Sequence, residues 1–191
     1  TSMSLSGAEA GGRRDVREFV FLPERLYRGD PNWSPPLWVD ERRTFSPRNP
    51  VLAHSDYRLL LARRHGQAVG RLLVYVDHSF NRHYHSAMGF WGSFESEDAE
   101  AAAALLGEAE RWLAERGMQA VRGPINPVSE CWGFLLEGYE RPPTFLSPYN
   151  PPRYHEYAVS GGYRKVKDLL VYEGDILEGY RIPERCLRFR D

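Results

Sequence analysis

The chain has 191 residues, of which 42% are hydrophobic, 13% aromatic and 27% charged, and its formal net charge is −1. This composition predicts one globular domain with its own core, and it offers no positive field for nucleic acid and no apolar run that could span a bilayer. The 2 cysteines, Cys131 and Cys186, are too few for a disulfide framework. We therefore expect a reducing, cytoplasmic setting, with neither nucleic acid nor a membrane as a partner.

The first residues are predicted to be irregular. Residues 1–14 are small, polar and glycine-rich, and they begin with Thr-Ser-Met-Ser, which resembles a tag-removal scar, so we expect a disordered tail. The apolar run Val16–Leu22 fits a strand or a helix, and its pattern does not separate the two. Pro23 suits the first position of a short helix that carries Leu26 and Tyr27.

A proline-rich loop and a hairpin come next. The prolines of Asp30–Leu37 predict a loop, which Trp33 and Trp38 are expected to anchor to the core. The runs Tyr57–Arg63 and Ala68–Val76 read as two strands joined by a tight turn at His65-Gly66-Gln67.

Three histidines lie in the segment Asp77–His85, at positions 78, 83 and 85. Metal ligation is one interpretation of this spacing, but the histidines lack a matched carboxylate or a second ligand cluster. We therefore predict no metal site here and interpret the segment as a solvated loop.

A strand-helix-strand unit is predicted over Ala87–Val121. The aromatic run Ala87–Glu95 suits a buried strand, and Ser96 suits the N-cap of a helix. Apolar residues then fall three or four apart and share one helix face; they are Ala102, Leu105, Leu106, Ala109, Trp112 and Leu113. Gly117 ends the helix, and Met118–Val121 forms a second strand parallel to the first. Ligands bind at the carboxyl ends of such strands, which directs attention to Glu95 and to the loop after Val121.

The last third of the chain is predicted to contain one more helix and one more strand. Tyr149-Asn150-Pro151-Pro152 precedes a helix at Arg153–Ser160, which Gly161-Gly162 ends. Lys165–Glu173 reads as a strand, and Gly179–Asp191 resembles the start of a further helix. We expect one domain over residues 15–175, with residues 176–191 as an extension or as the start of a second half.

Taken together, these elements resemble the GNAT fold of the acyl-CoA N-acyltransferases, and more closely a bacterial family of GNAT-like proteins without assigned chemistry. The resemblance implies a mixed, mostly antiparallel sheet with a parallel central strand pair and helices on both faces, an α/β (α+β) class, and relatives of about twice this length. The matching motifs are Asp30-Pro31-Asn32-Trp33, Pro35-Pro36-Leu37, Val69-Gly70-Arg71, Gly89–Glu95, Arg122-Gly123-Pro124, Glu137-Gly138-Tyr139, Pro148–Pro152 and Gly162-Tyr163.

The resemblance implies a site for acetyl-CoA after the central strand, where Phe94 and Ser96 would contact the cofactor. In GNAT enzymes, backbone amides at a glycine-rich helix start hold the CoA pyrophosphate. Here Glu95–Glu100 contains no glycine and carries four carboxylates. Because these carboxylates repel a pyrophosphate, we expect CoA to bind weakly or not at all in this segment.

The catalytic candidates are Glu95 and Tyr154. The resemblance implies that Glu95 takes a proton from the amine, whereas the alternative is a strand-end carboxylate that is solvated or paired with Arg122. The usual tyrosine that protonates the departing thiolate would fall at Ala158, so Tyr154, one turn earlier, is the substitute. Tyr154 is also a good core residue.

Polar side chains near the expected cleft are candidates for substrate binding, and they are Asn126, Ser129, Glu130, Tyr149 and Asn150. Each of them also suits an ordinary turn. Cys131 has no identifiable histidine partner and is interpreted as a small apolar residue rather than a nucleophile.

Three functions remain open. The first is a GNAT-type N-acyltransferase that uses acyl-CoA and a small-molecule amine. The second is a non-catalytic GNAT-like domain that binds a ligand or stabilises a partner half or a second copy. The third is other chemistry in the same cleft, since a fold does not fix a function.

Overall fold

The computed structural model describes residues 3–8, 13–46, 48–127, 132–144 and 147–172. Five strands form one sheet in chain order, and they are β1 (Met3–Ala8), β2 (Ser55–Arg64), β3 (Gln67–Asp77), β4 (Met88–Ser96) and β5 (Ala120–Arg122). The first three junctions are antiparallel and β4 pairs with β5 in parallel. The predicted mixed, mostly antiparallel sheet is therefore confirmed.

Among the described residues, five α-helices pack around the sheet: α1 (Arg13–Leu26), α2 (Trp38–Thr44), α3 (His78–Tyr84), α4 (Ala99–Ala114) and α5 (Arg153–Ser160). Side chains of β2 and β3 alternate between two cores, so that Leu60 and Leu72 pack under α4 and α5 while Leu59 and Leu73 pack under α1. Helices thus cover both faces, as predicted. None of the described helices combines the length and apolarity that crossing a bilayer requires.

The predicted strand-helix-strand unit is present. Met88 pairs with Ala120 and Phe90 with Arg122 in the parallel register, and the apolar face of α4 is buried, with Trp112 only 1% exposed. Gly117 follows the helix with φ 74°, which only glycine adopts readily. The N-cap differs from the prediction: Asp98, not Ser96, accepts the Ala101 amide at 2.9 Å.

The predicted hairpin is confirmed and the segment after it is not a loop. β2 and β3 join at His65 and Gly66, whose φ values of 52° and 79° fit a tight turn between twisted strands. The histidine-rich segment forms α3, because Asp77 accepts the amides of Ser79 and Phe80 at 2.9 Å and so caps a helix. This cap signal outweighs the polar composition that suggested a solvated loop.

The amino-terminal predictions need two corrections. Met3–Ala8 is not irregular but forms β1, which pairs with β2 and shields that edge of the hairpin. The ambiguous run Val16–Leu22 is helical, and Pro23 lies inside α1 rather than at the start of a new helix. Trp33 and Trp38 do contact the core, Trp33 by stacking on Tyr27 at 5.3 Å and Trp38 against Phe21 at 4.8 Å.

At the carboxyl end, α5 has the predicted bounds and the predicted last strand is absent. Residues 164–172 have no regular secondary structure and pair with no strand of the described chain, and Leu170 and Tyr172 are 72% and 86% exposed. A strand needs a hydrogen-bonded partner strand, and this segment has none among the described residues. Residues 173–191, including the predicted helix start at Gly179–Asp191, lie outside the described residues.

Candidate active site

A bulge in β4 decides where Glu95 points. Trp91 and Phe94 lie three apart yet pack in the same core, because Ser93 adopts φ 49° and adds one residue to the strand. Beyond the bulge, each side chain of β4 therefore lies on the face of the sheet opposite to the one that strict alternation predicts. Glu95 therefore points to the α1 side of the sheet, whereas strict alternation would place it under α4.

Asn126 holds this bulge in place. Its side-chain oxygen accepts the Ser93 amide at 2.6 Å and the Ser93 hydroxyl at 3.0 Å. Gly92 permits the approach, since a Cβ there would lie 2.5 Å from that same oxygen. Asn126 was predicted to bind substrate, but in this structure its side-chain oxygen binds Ser93 and stabilises the bulge that orients Glu95.

Glu95 is a buried carboxylate, 8% exposed, at the carboxyl end of β4. One oxygen, Oε2, accepts the hydroxyls of Tyr27 at 2.8 Å and Tyr154 at 2.9 Å. The other oxygen, Oε1, lies 3.8 Å from the guanidinium of Arg71. The carboxylate therefore joins the end of α1, the middle of β3 and the start of α5.

Burial raises the pKa of Glu95, although Arg71 and the two tyrosine hydroxyls act in the opposite direction. Burial and the adjacent carboxylate also raise the pKa values of Tyr27 and Tyr154. Both phenols therefore keep their protons, and Glu95 is the group of this cluster that can gain one. A carboxyl group with a raised pKa has the protonation behaviour that a general base requires.

Arg71 replaces a hydrogen bond that Pro23 removes. Proline has no amide hydrogen, so the Phe19 carbonyl lacks its usual helical donor at position 23. The Arg71 guanidinium donates to this carbonyl at 2.7 Å and to the Val20 carbonyl at 3.3 Å. The same cation lies 3.7 Å from Glu41 of α2, so Arg71 connects α1 and α2 to the buried carboxylate.

The acidic run after β4 is neutralised by arginines from other elements. Arg25 pairs with Glu97 at 2.6 Å, and Arg64 pairs with Asp98 at 2.7 Å and with Glu100 at 2.9 Å. The bond to Arg64 lowers the pKa of Asp98. Arginines thus pair with all four carboxylates of the run that was expected to repel a pyrophosphate, and they are Arg25, Arg64 and Arg71.

These ion pairs and the Asp98 cap occupy the start of α4. The side chain of Asp98 takes the Ala101 amide, and Ser96 donates its hydroxyl to the Asp98 carbonyl at 2.7 Å. Ser96 is fully buried, its own amide donates to the Tyr154 hydroxyl at 2.9 Å, and Phe94 lies in the core. The two residues predicted to contact a cofactor therefore face the protein interior here.

The remaining candidates lie just before α5 or outside the described residues. Tyr149 donates to Asp30 at 2.7 Å, and its ring lies 5.6 Å from that of Tyr27. Asn150 is buried and binds the Leu135 backbone through both its oxygen, at 2.7 Å, and its amide, at 3.3 Å. Ser129, Glu130 and Cys131 fall outside the described residues.

Two members of this cluster, Tyr27 and Arg71, were not predicted from the sequence. Arg71 carried a signal, because it is the one charged residue in the apolar run Ala68–Val76, and a charge at such a position needs a buried partner. Tyr27 carried none, since its role depends on how α1 crosses the sheet. No group of three or more metal-ligating side chains occurs among the residues that the structure describes.

Two curated bacterial relatives match most of the chain. Protein YghO of Escherichia coli (strain K12) is 33% identical over 162 residues, which are 84% of this chain and 42% of YghO. A bacterial ceramide synthase of Caulobacter vibrioides (strain NA1000 / CB15N) is 33% identical over 192 residues, 98% of this chain and 50% of that protein. The chain thus spans about half the length of these relatives. No family model matches the sequence.

Solved structures identify the fold. The acetyltransferase AAC(6')-Iy, in complex with a bisubstrate analogue of CoA, superimposes with a TM-score of 0.53 at 13% identity over 92% of this chain and 99% of that one. A tandem GNAT protein from the clavulanic acid biosynthesis pathway gives a TM-score of 0.53 at 17% identity, over 84% of this chain and 43% of the tandem protein. The chain has the GNAT fold.

Proposed function

We propose that this chain, which has the fold of GNAT acetyltransferases, is one half of an N-acyltransferase that moves an acyl group from acyl-CoA to an amine. The observation that carries the proposal is Glu95, a carboxylate with a raised pKa at the carboxyl end of β4, bound to two tyrosine hydroxyls. The match to about half of each curated relative supports the two-half arrangement.

In the proposed reaction, the amine nitrogen attacks the thioester carbonyl, an N–C bond forms and the C–S bond breaks. Glu95 accepts the proton that the amine loses, and the CoA thiolate leaves and takes up a proton. Tyr154 is proposed to pass a proton to that thiolate and to regain one from the protonated Glu95, to which its hydroxyl is hydrogen-bonded, so that the phenol is protonated before and after the step. Since Glu95 is 8% exposed, the amine reaches it only if the loop at Asp30–Trp33 moves from its position over Tyr27.

The ceramide synthase relative suggests a class of acceptor. A ceramide is the amide of a fatty acid with a long-chain amino alcohol, so its synthesis is the acylation of an amine. We propose that the acceptor here is a long-chain amino alcohol. The support is the 33% identity over 98% of this chain.

The test is an assay of acyl transfer in which the release of free CoA thiol from acyl-CoA is measured. Long-chain amino alcohols and short polar amines are compared as acceptors. Glu95→Gln should lower kcat at least about 100-fold, the lower range for a general base. Glu97→Gln is the matched control, because it removes a nearby carboxylate that pairs only at the surface with Arg25. Equal rates for the two variants would exclude Glu95 as the base.

A second candidate is a non-catalytic half that stabilises or completes its partner half. The observation in its favour is the start of α4, where Asp98 caps the helix and Glu97 and Glu100 form ion pairs. A pyrophosphate would have to displace a carboxylate from the amides it needs. Because Arg25 and Arg64 already pair with these carboxylates, the obstacle to a pyrophosphate is the occupied helix start and not an unpaired negative charge.

Titration of acetyl-CoA at low salt separates the two candidates. The parent is compared with a Glu97→Gly, Asp98→Gly double variant, in which glycine still serves as an N-cap at small cost. Micromolar binding by the parent would exclude the non-catalytic candidate for this chain. Binding by the variant alone would support it, with the carboxylates as the obstacle. Absence of binding in both would assign the cofactor to the other half.

A further inference from the structure

We propose that the outer surface of α2 and of the loop after it binds an anionic lipid bilayer. This α2 surface consists of Leu37, Val39, Arg42, Arg43 and Arg48. It combines exposed aliphatic side chains with arginines that lack strong acidic partners. The proposal does not depend on the reaction proposed above.

The aliphatic part of the α2 surface lies at the start of the helix. Leu37 is 75% exposed and Val39 is 62% exposed. Trp38, between them, instead packs against Phe21 at 4.8 Å and fixes the rotation of the helix. Because Trp38 anchors the inner side of the helix, Leu37 and Val39 face solvent in the described chain.

The basic part follows within one to two turns. Arg42, Arg43, Ser46 and Arg48 line a shallow surface cavity of about 320 Å³ that no carboxylate lines. Arg43 lies 3.5 Å from Asp40 in an exposed pair of little strength. Within the described residues, neither Arg42 nor Arg48 has a carboxylate within 4.0 Å. The Arg42 guanidinium rests over the Phe21 ring at 5.2 Å, which holds it in place.

This combination fits the interface of a bilayer. Aliphatic side chains enter the boundary between headgroups and acyl chains, while guanidinium groups bind the phosphates of the headgroups. The sequence predicts no membrane partner because it has no spanning run, but contact with a bilayer surface requires none. The inner side of α2 carries Glu41, 3.7 Å from Arg71, so a bound bilayer would lie one helix away from the buried cluster around Glu95.

The experiment is co-sedimentation of the full chain with vesicles of phosphatidylcholine alone or mixed with phosphatidylglycerol. We expect binding to the mixed vesicles that weakens with salt. A basic residue near an anionic surface contributes about 1 kcal/mol, which is about fivefold. Arg43→Gln, Arg48→Gln should therefore weaken binding about 25-fold, and Leu37→Ser, Val39→Ser should weaken it at high salt as well. Arg42 is left unchanged because it stacks on Phe21.

Two control variants make the result specific. Arg82→Gln, Arg111→Gln removes the same charge from α3 and α4 and should leave binding unchanged. Leu169→Ser, Val171→Ser removes exposed aliphatic side chains from the carboxyl end and should also leave it unchanged. The proposal is overturned if the parent does not bind the mixed vesicles. It is equally overturned if either control weakens binding as much as the α2 variants do.

Discussion

Glu95 occupies a position where the charged form of a carboxylate is disfavoured by burial and only partly stabilised by its partners. Two tyrosine hydroxyls bind one oxygen, while Arg71 stays 3.8 Å from the other. A fully paired buried charge would have a lowered pKa, whereas that of Glu95 is raised. The residue is thus tuned to exchange a proton and not to strengthen the fold.

This tuning predicts a pH dependence of stability. An acid whose pKa is raised on folding contributes stability that is complete below its unfolded pKa, about 4.3 for glutamate, and is lost as pH rises through the folded pKa. Relative to Glu95→Gln, the free energy of unfolding of the parent should fall as pH rises above about 4 and then level off. Urea denaturation at a series of pH values measures the difference. A free energy of unfolding that rises with pH in the parent, relative to Glu95→Gln, would contradict the raised pKa.

A second prediction concerns the carbonyl left free by Pro23. Arg71→Met should lower the free energy of unfolding by about 3–5 kcal/mol, since it leaves Glu95 buried without its cation. In a Pro23→Ala background, residue 23 regains an amide hydrogen that the Phe19 carbonyl accepts. The cost of Arg71→Met should then be smaller by about 1 kcal/mol, the value of one hydrogen bond.

The measurement is a double-mutant cycle by chemical denaturation. Additive effects of the Arg71 and Pro23 substitutions would show that the 2.7 Å contact between Arg71 and the Phe19 carbonyl does not stabilise the fold.

At the scale of elements, the start of α4 is decided by competition between two possible caps. Ser96 and Asp98 both have the chemistry of an N-cap residue. Ser96 is drawn into β4, where its amide binds Tyr154 and its hydroxyl binds the Asp98 carbonyl. The helix therefore begins after Asp98, which also pairs with Arg64.

The cap and the ion pair of Asp98 can be separated by two substitutions. Asp98→Ala removes both and should cost about 1 kcal/mol of stability. Asp98→Asn keeps an oxygen for the Ala101 amide and loses only the exposed ion pair, so it should cost less. The comparison is made from thermal or urea midpoints at pH 7. If Asn costs as much as Ala, the Arg64 pair and not the cap holds this end of α4.

At the scale of the whole molecule, residues 165–172 form a segment outside the sheet that carries exposed aliphatic side chains. Leu169, Leu170 and Val171 are all more than half exposed. The parallel strand β5 has only β4 as a neighbour, so its other edge is unpaired within the described chain. The chain matches about half the length of its curated relatives and 43% of a tandem GNAT protein.

Replacement of a leucine by alanine should therefore change the free energy of unfolding less in this segment than in the core. Leu169→Ala should change the free energy of unfolding of this chain by no more than about 0.5 kcal/mol, as at an ordinary surface position. Leu105→Ala, at a fully buried site of α4, should cost about 2–5 kcal/mol. A large loss for Leu169→Ala would mean that the segment packs on its own domain in solution.

The sequence by itself determined the features that depend on neighbouring residues. Turn residues and the alternation of apolar and polar side chains were enough to predict the β2–β3 hairpin. The helical periodicity of apolar residues predicted the buried face of α4, and prolines and glycines predicted the bounds of α5. The local motifs together were enough for the fold, and Glu95 was recognised by its place at a strand end. Each of these signals lies within about twenty residues of chain, where geometry follows from composition.

Only the tertiary structure decided which charges meet. Arg25, Arg64 and Arg71 reach the acidic run from 72, 34 and 24 residues away, distances over which no local pattern operates. The direction of Glu95 depends on a single left-handed residue, Ser93, which Asn126 holds from the next loop. Pro23 lies inside α1, where Arg71 of β3 donates to the Phe19 carbonyl the hydrogen bond that proline cannot supply.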